Sequence, residues 1–178
     1  GMQSSASAQS GNPVDNVNPF LGTDFFGHTF PGASLPYAMV HLSPDMNTHG
    51  WTFASGYAYS ESSIMGFSHL HWSGVGMVNG GEILLMPTVG DKLQVVPGPL
   101  DDPDKGYRSR FDHASESASP GYYSVLLKDY NVKAELTSTR RAGFHRYTFP
   151  KSNSSKIILD LGHQIGGGAK EGQSELKI

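Results

Sequence analysis

The chain has 178 residues, of which 22 are glycine and 11 proline, about a fifth of its length against a usual share of roughly 12%. Charged residues make up 16%, aromatics 11%, cysteine is absent, and the formal net charge is −3 at pH 7. Those values exclude a long helical bundle, which needs Ala, Glu, Lys and Leu, and a disordered chain, which lacks aromatics. They also exclude a disulfide framework, a thiolate metal site and a phosphate-neutralising basic stripe, and no apolar run approaches the ~20 residues of a membrane span. A turn-rich all-β domain with a real core remains.

Taken in chain order, residues 1–16 read as a tag remnant (Gly1 before Met2) followed by a flexible lead. From Asn18 to Gly81 the chain is dense in Gly, Pro, His and aromatics. A short strand is expected over 38–42, ended by Ser43-Pro44, and residues 60–67 could form one helical turn. Residues 82–89 predict a second, mostly apolar strand and 92–96 a third, before the Pro- and Asp-rich loop 97–106. The second half alternates more clearly. Tyr123, Val125 and Leu127 share one strand face, as do Val132, Ala134 and Leu136 on the next. Gly143 interrupts before a strand over 144–149, and 156–161 resumes the pattern. The stretch 166–178 reads as a loop with one incipient strand. Strands every 10–12 residues between turn signals point to an antiparallel sandwich or barrel.

Two constellations could carry chemistry. In His69-Leu70-His71-Trp72, an extended backbone would place both histidines on one side, half of a metal site that Glu82 or another histidine could complete. The plainer reading is a pair of hydrogen-bonded histidines in a polar face or a ligand pocket. The second constellation is a series of glycine-rich turns that gathers His28, Trp51, Tyr57, His69, His71, Trp72, Gly74 and Gly76 into one short region. None fits a phosphate-binding pattern. Flat rings stack on sugar faces while imidazole and hydroxyl groups bond sugar hydroxyls, so the combination suits a carbohydrate pocket; aromatics equally fill cores. Asp24, Asp45, Glu61 and Glu82 are carboxylates in the same half, but no spacing marks two of them as a catalytic pair.

Several segments are more specific than their spacing. They include Val17-Asn18-Pro19-Phe20-Leu21-Gly22-Thr23, Gly27-His28-Thr29-Phe30-Pro31-Gly32-Ala33, Gly66-Phe67-Ser68-His69-Leu70-His71 and Gly143-Phe144-His145-Arg146-Tyr147. In this order they resemble the N-terminal domain of glycoside hydrolase family 92, the exo-acting α-mannosidases, from Val17 to His163. The resemblance implies a β-sandwich of the galactose-mutarotase-like supersandwich type over 17–178, truncated at its C-terminal end and followed in the whole protein by a helical (α/α) barrel. It further implies calcium-dependent, inverting removal of terminal α-linked mannose. The catalytic acid and base and the calcium ligands then lie in the barrel, so the fragment alone is expected to be inactive. This chain is expected to contribute His28, Trp51, Tyr57, His69, His71, Trp72, Gly74 and Gly76 to the sugar pocket at the domain interface. The implied partners are α-mannoside glycans and the barrel domain, with no nucleic acid; the implied location is secreted, periplasmic or cell-surface, with any signal removed.

The chain departs from the family where it usually reads Ser-Gly-Thr-Gly with two aspartates shortly after. Here stand Ser73-Gly74-Val75-Gly76, Asn79 and Glu82, and Trp72 replaces a smaller aliphatic residue. Two rival readings follow from the residues: a non-catalytic carbohydrate-binding sandwich, and a metal-dependent β-barrel enzyme using His69 and His71.

Overall fold

The computed structural model describes residues 11–74, 78–91 and 94–166. Its strands are β1 (Ala33–Ser34), β2 (His41–Asp45), β3 (Ser63–Ile64), β4 (Gly66–Ser68), β5 (Leu84–Val89), β6 (Ser109–Arg110), β7 (Ser117–Ser119), β8 (Tyr122–Leu127), β9 (Val132–Ser138), β10 (Gly143–Thr148) and β11 (Ser155–Asp160). Helix among the described residues is limited to short 3-10 turns at Pro13–Asn16, Trp51–Phe53, Pro103–Lys105 and His113–Ser115. None is long and apolar enough to cross a membrane.

The strands form a five-stranded sheet in the order β1-β2-β4-β5-β11, a four-stranded sheet β10-β9-β8-β7 and the small ribbon β3-β6, all antiparallel. The period-two alternation of the second half fixes the register of the four-stranded sheet. Tyr123 opposes Leu136, Val125 opposes Ala134 and Leu127 opposes Val132, and all six are buried on one face. Leu42, Phe67, Leu84 and Met86 of the five-stranded sheet pack against them. Each such side chain contributes on the order of 1.5–3 kcal/mol by leaving water. The expected all-β antiparallel sandwich is what the chain forms.

Three expectations change. β2 does not end at Ser43-Pro44 but runs through them to Asp45, with Pro44 opposite Phe67. Its β1 partner pairs only with His41 and Leu42, so beyond that point β2 has an open side, where a residue without an N–H is tolerated. Residues 60–67 make no helical turn; they supply β3 and the start of β4. Residues 94–96 are not strand, while 92 and 93 lie outside the described residues. The incipient strand expected after Gly166 also lies outside them.

Candidate functional site

The site grows from three loops at one edge of the five-stranded sheet. The first runs from Gly22 to Thr29 and is closed by Thr29 N–H on the Gly22 carbonyl (3.2 Å) and Thr29 Oγ1 on the Leu21 carbonyl (2.7 Å). It forces His28 into the left-handed region at φ 50°, a conformation that is strained for a side chain of this kind. The His28 ring is only 7% exposed, lies edge-on to Trp51 (centroids 4.9 Å apart, 82°) and to Phe26 (6.4 Å, 81°), and its buried Nε2 has no hydrogen-bond partner. The second loop opens with Trp51, half exposed at the start of its 3-10 turn. The third carries Trp72 and Gly74. Gly74 N–H donates to the His28 carbonyl (2.7 Å) and Ser55 Oγ to the Trp72 carbonyl (2.9 Å), so the three loops are tied to one another.

His28, Trp51, Trp72 and Gly74 therefore come together as the sequence suggests. Gly76 lies outside the described residues. The exposed Phe26, edge-on to His28, belongs to the same patch, and its chain neighbour Phe25 is exposed as well; two adjacent aromatics inside a glycine-rich turn are the sequence signal for them. Phe30 packs on His41 and His71 and, with Ser34, Leu35, His41 and Ser73, lines an adjoining cleft of about 530 Å³.

Tyr57 and His71 do not reach this surface. Tyr57 is 1% exposed, and its hydroxyl donates to both oxygens of Glu116 (3.0 Å each). Glu116 also accepts from Tyr123 Oη (2.6 Å) and His113 Nδ1 (2.7 Å). Burial, then the Glu116 charge, pushes the Tyr57 phenol far above its ordinary value, so Tyr57 stays a neutral donor and acts as a strut. His71 is fully buried with Nε2 2.7 Å from Asp45 Oδ1 and Nδ1 2.6 Å from the His41 carbonyl. Burial alone would lower its pKa, but the Asp45 charge and hydrogen bonds hold it above the ordinary value. Burial would likewise raise Asp45, yet the His71 charge and the hydrogen bonds from His163 and His71 hold its carboxyl well below the usual range.

His69 goes elsewhere. β4 ends at Ser68, so the period of two does not extend over 69–71 and the two imidazoles diverge. His69 Nδ1 lies 3.1 Å from the Ile83 carbonyl and its Nε2 3.0 Å from His145 Nε2 on the opposite sheet. Glu82 is exposed and joins neither ring. The His69/His71 metal reading needs both imidazoles on one side, and here they face different partners; among the described residues no three His, Asp or Glu side chains are grouped to hold a metal ion.

Fold and site together define an all-β antiparallel sandwich domain that gathers imidazole and indole groups on glycine-rich loops. Residues 16–178 match the family described as Glycosyl hydrolase family 92 N-terminal domain, and the chain belongs to that family as its N-terminal domain. A solved GH92 alpha-mannosidase from Bacteroides thetaiotaomicron is 45% identical, with a TM-score of 0.85 over 89% of this chain and 21% of its own. An inverting mannosidase of the same family from Bacteroides thetaiotaomicron VPI-5482 is 26% identical, with a TM-score of 0.68 over 86% of this chain and 20% of its own. An uncharacterized secreted glycosidase of Arthroderma benhamiae is 33% identical over 88% of this chain and 20% of its own length. The chain thus spans about a fifth of the relatives it matches.

Proposed function

We propose that this chain is the sugar-binding sandwich of an inverting, calcium-dependent exo-α-mannosidase acting on terminal α-linked mannose of glycans outside the cytoplasm. The observation that carries the reading is His28: a strained backbone, an unpartnered buried nitrogen and a covering Trp51 are concentrated on one residue. Displacement of the Trp51 or Phe26 ring gives a sugar hydroxyl access to Nε2, while the indole faces of Trp51 and Trp72 suit the C–H face of a pyranose. Support for mannose comes from the relatives, two of them mannosidases and one of these also solved in complex with mannoimidazole.

Inversion needs a carboxylic acid to protonate the leaving oxygen and a carboxylate to activate water from the opposite face. The first rim loop carries one carboxylate, Asp24, whose Oδ1 accepts from the Phe25 N–H and Ser60 Oγ (3.0 Å each), and the other rim groups are imidazole, indole, phenyl and glycine, so binding and orientation are the roles assigned to the rim. Acid, base and calcium ligands are assigned to the helical barrel that follows in the longer protein. Calcium, a hard cation that takes oxygen ligands, would there bind and polarise oxygens. The test is hydrolysis of α-linked mannobioses by the full-length protein with and without a chelator. Release of mannose that chelation abolishes is expected; cleavage indifferent to chelation, or none at all, overturns the reading.

A further inference from the structure

Asp45 closes β2 and is fully buried, yet its carboxylate ties β2 to two distant segments, one carrying Ser68 and His71 and the other His163. Oδ1 accepts from His71 Nε2 at 2.7 Å, while Oδ2 accepts from His163 Nε2 at 2.9 Å and from Ser68 Oγ at 2.5 Å. His71 Nδ1 faces the His41 carbonyl, so both of its nitrogens face acceptors and the ring opposite Asp45 is an imidazolium. A fourth segment is fitted to the same group without bonding it. At Gly56 a Cβ would stand 1.9 Å from Asp45 Oδ1, so the turn that follows Trp51 is moulded on the carboxylate.

The segments so gathered are the ones that bear the rim. His71 immediately precedes Trp72. Gly56 N–H closes the Trp51 turn on the Phe53 carbonyl (2.8 Å), and the Gly56 carbonyl accepts from Met46, next to Asp45 (2.7 Å). His163 leads into Ile165 and Gly166, whose amides bond the Gly80 and Thr48 carbonyls on either side. A buried ion pair is costly to desolvate and gains little net stability over apolar packing, so its value lies in the geometry it enforces. We infer that Asp45 is a positioning residue: its carboxylate sets the placement of the Trp51 and Trp72 loops relative to each other. The consequence for sugar binding rests on the rim reading above; the placement itself does not.

Trp51 and Trp72 are the chain's 2 tryptophans, so within this domain tryptophan fluorescence reads these loops. The experiment compares Asp45→Asn with Leu136→Ala, a core truncation away from the loops, in the full-length protein, where each domain tryptophan is assigned by its single Trp→Phe difference spectrum. Asp45→Asn is expected to red-shift the emission and raise acrylamide quenching of Trp51 and Trp72, with Leu136→Ala leaving both unchanged at matched folded fraction. Mannoside KM is expected to rise about tenfold with kcat little changed, as lost ground-state binding requires. If Asp45→Asn does not fold, Ser68→Ala and His163→Leu each remove one donor and are expected to give graded versions of the same shift. Lowered melting temperature with unchanged tryptophan signals overturns the inference. A shifted tryptophan signal with unchanged KM upholds the positioning role and removes the rim from sugar binding instead.

Discussion

His145 is expected to make the stability of this domain sensitive to mild acid. Its ring points from β10 toward the interior, where burial and the neighbouring His69 bring its pKa from 6.5 down to about 4. The contacts fix one arrangement of protons. His69 Nδ1–H donates to the Ile83 carbonyl, His145 Nε2–H donates to His69 Nε2 (3.0 Å), and the Tyr147 hydroxyl donates to His145 Nδ1 (2.8 Å). A further proton sets two N–H groups head-on between the rings or leaves a charge in the interior. The unfolded chain takes that proton near 6.5, so between 6.5 and about 4 it binds more protons than the folded chain. Stability therefore falls as pH drops through this window. At about 1.4 kcal/mol per pKa unit, the shift corresponds to roughly 3 kcal/mol. The assay is urea unfolding between pH 5 and 8 for the wild type and His145→Gln, an amide that cannot titrate. Below pH 6 the wild type is expected to lose about 1 kcal/mol per pH unit more than the variant. His71, held above its ordinary value, acts with the opposite sign, losing its stabilisation as pH rises, and cancels in the comparison. Parallel pH dependences for the two proteins would show that His145 is not the source of the acid sensitivity.

Gly56→Ala places a Cβ against the Asp45 carboxylate at a backbone φ of 76°, and is expected to cost at least about 3 kcal/mol, read as a lowered urea midpoint; an unchanged midpoint would contradict the moulded fit. Tyr57→Phe removes the hydroxyl that donates to Glu116 and is expected to lose about 1–3 kcal/mol of stability while leaving mannoside KM alone. A raised KM at unchanged stability would return Tyr57 to the sugar site.

The sandwich was legible where alternation is long enough to show. Tyr123, Val125, Leu127 and Val132, Ala134, Leu136 predict their own face, and cross-strand pairing joins the two sets. β3 and β4 escaped because they are two and three residues long and run through Met65 and Gly66 without a period. At the site, aromatic and glycine content pointed to the right loops and brought His28, Trp51, Trp72 and Gly74 together. It could not separate rim from support, since Tyr57 and His71 differ from Trp51 in burial, which composition does not encode. Asp45 had no signal at all: its partners stand 23, 26 and 118 residues away, and no local spacing marks a lone aspartate as their centre.

On the proposed reading, the His28–Trp51 rim completes a mannoside pocket whose catalytic groups lie in the following domain. The most direct test of that reading is the steady-state hydrolysis of an α-linked mannobiose by the full-length protein and by Trp51→Ala, with equal folding checked by circular dichroism. Loss of an aromatic stacking contact predicts a fall in kcat/KM of about tenfold or more. An unchanged kcat/KM would place Trp51 outside the mannoside pocket.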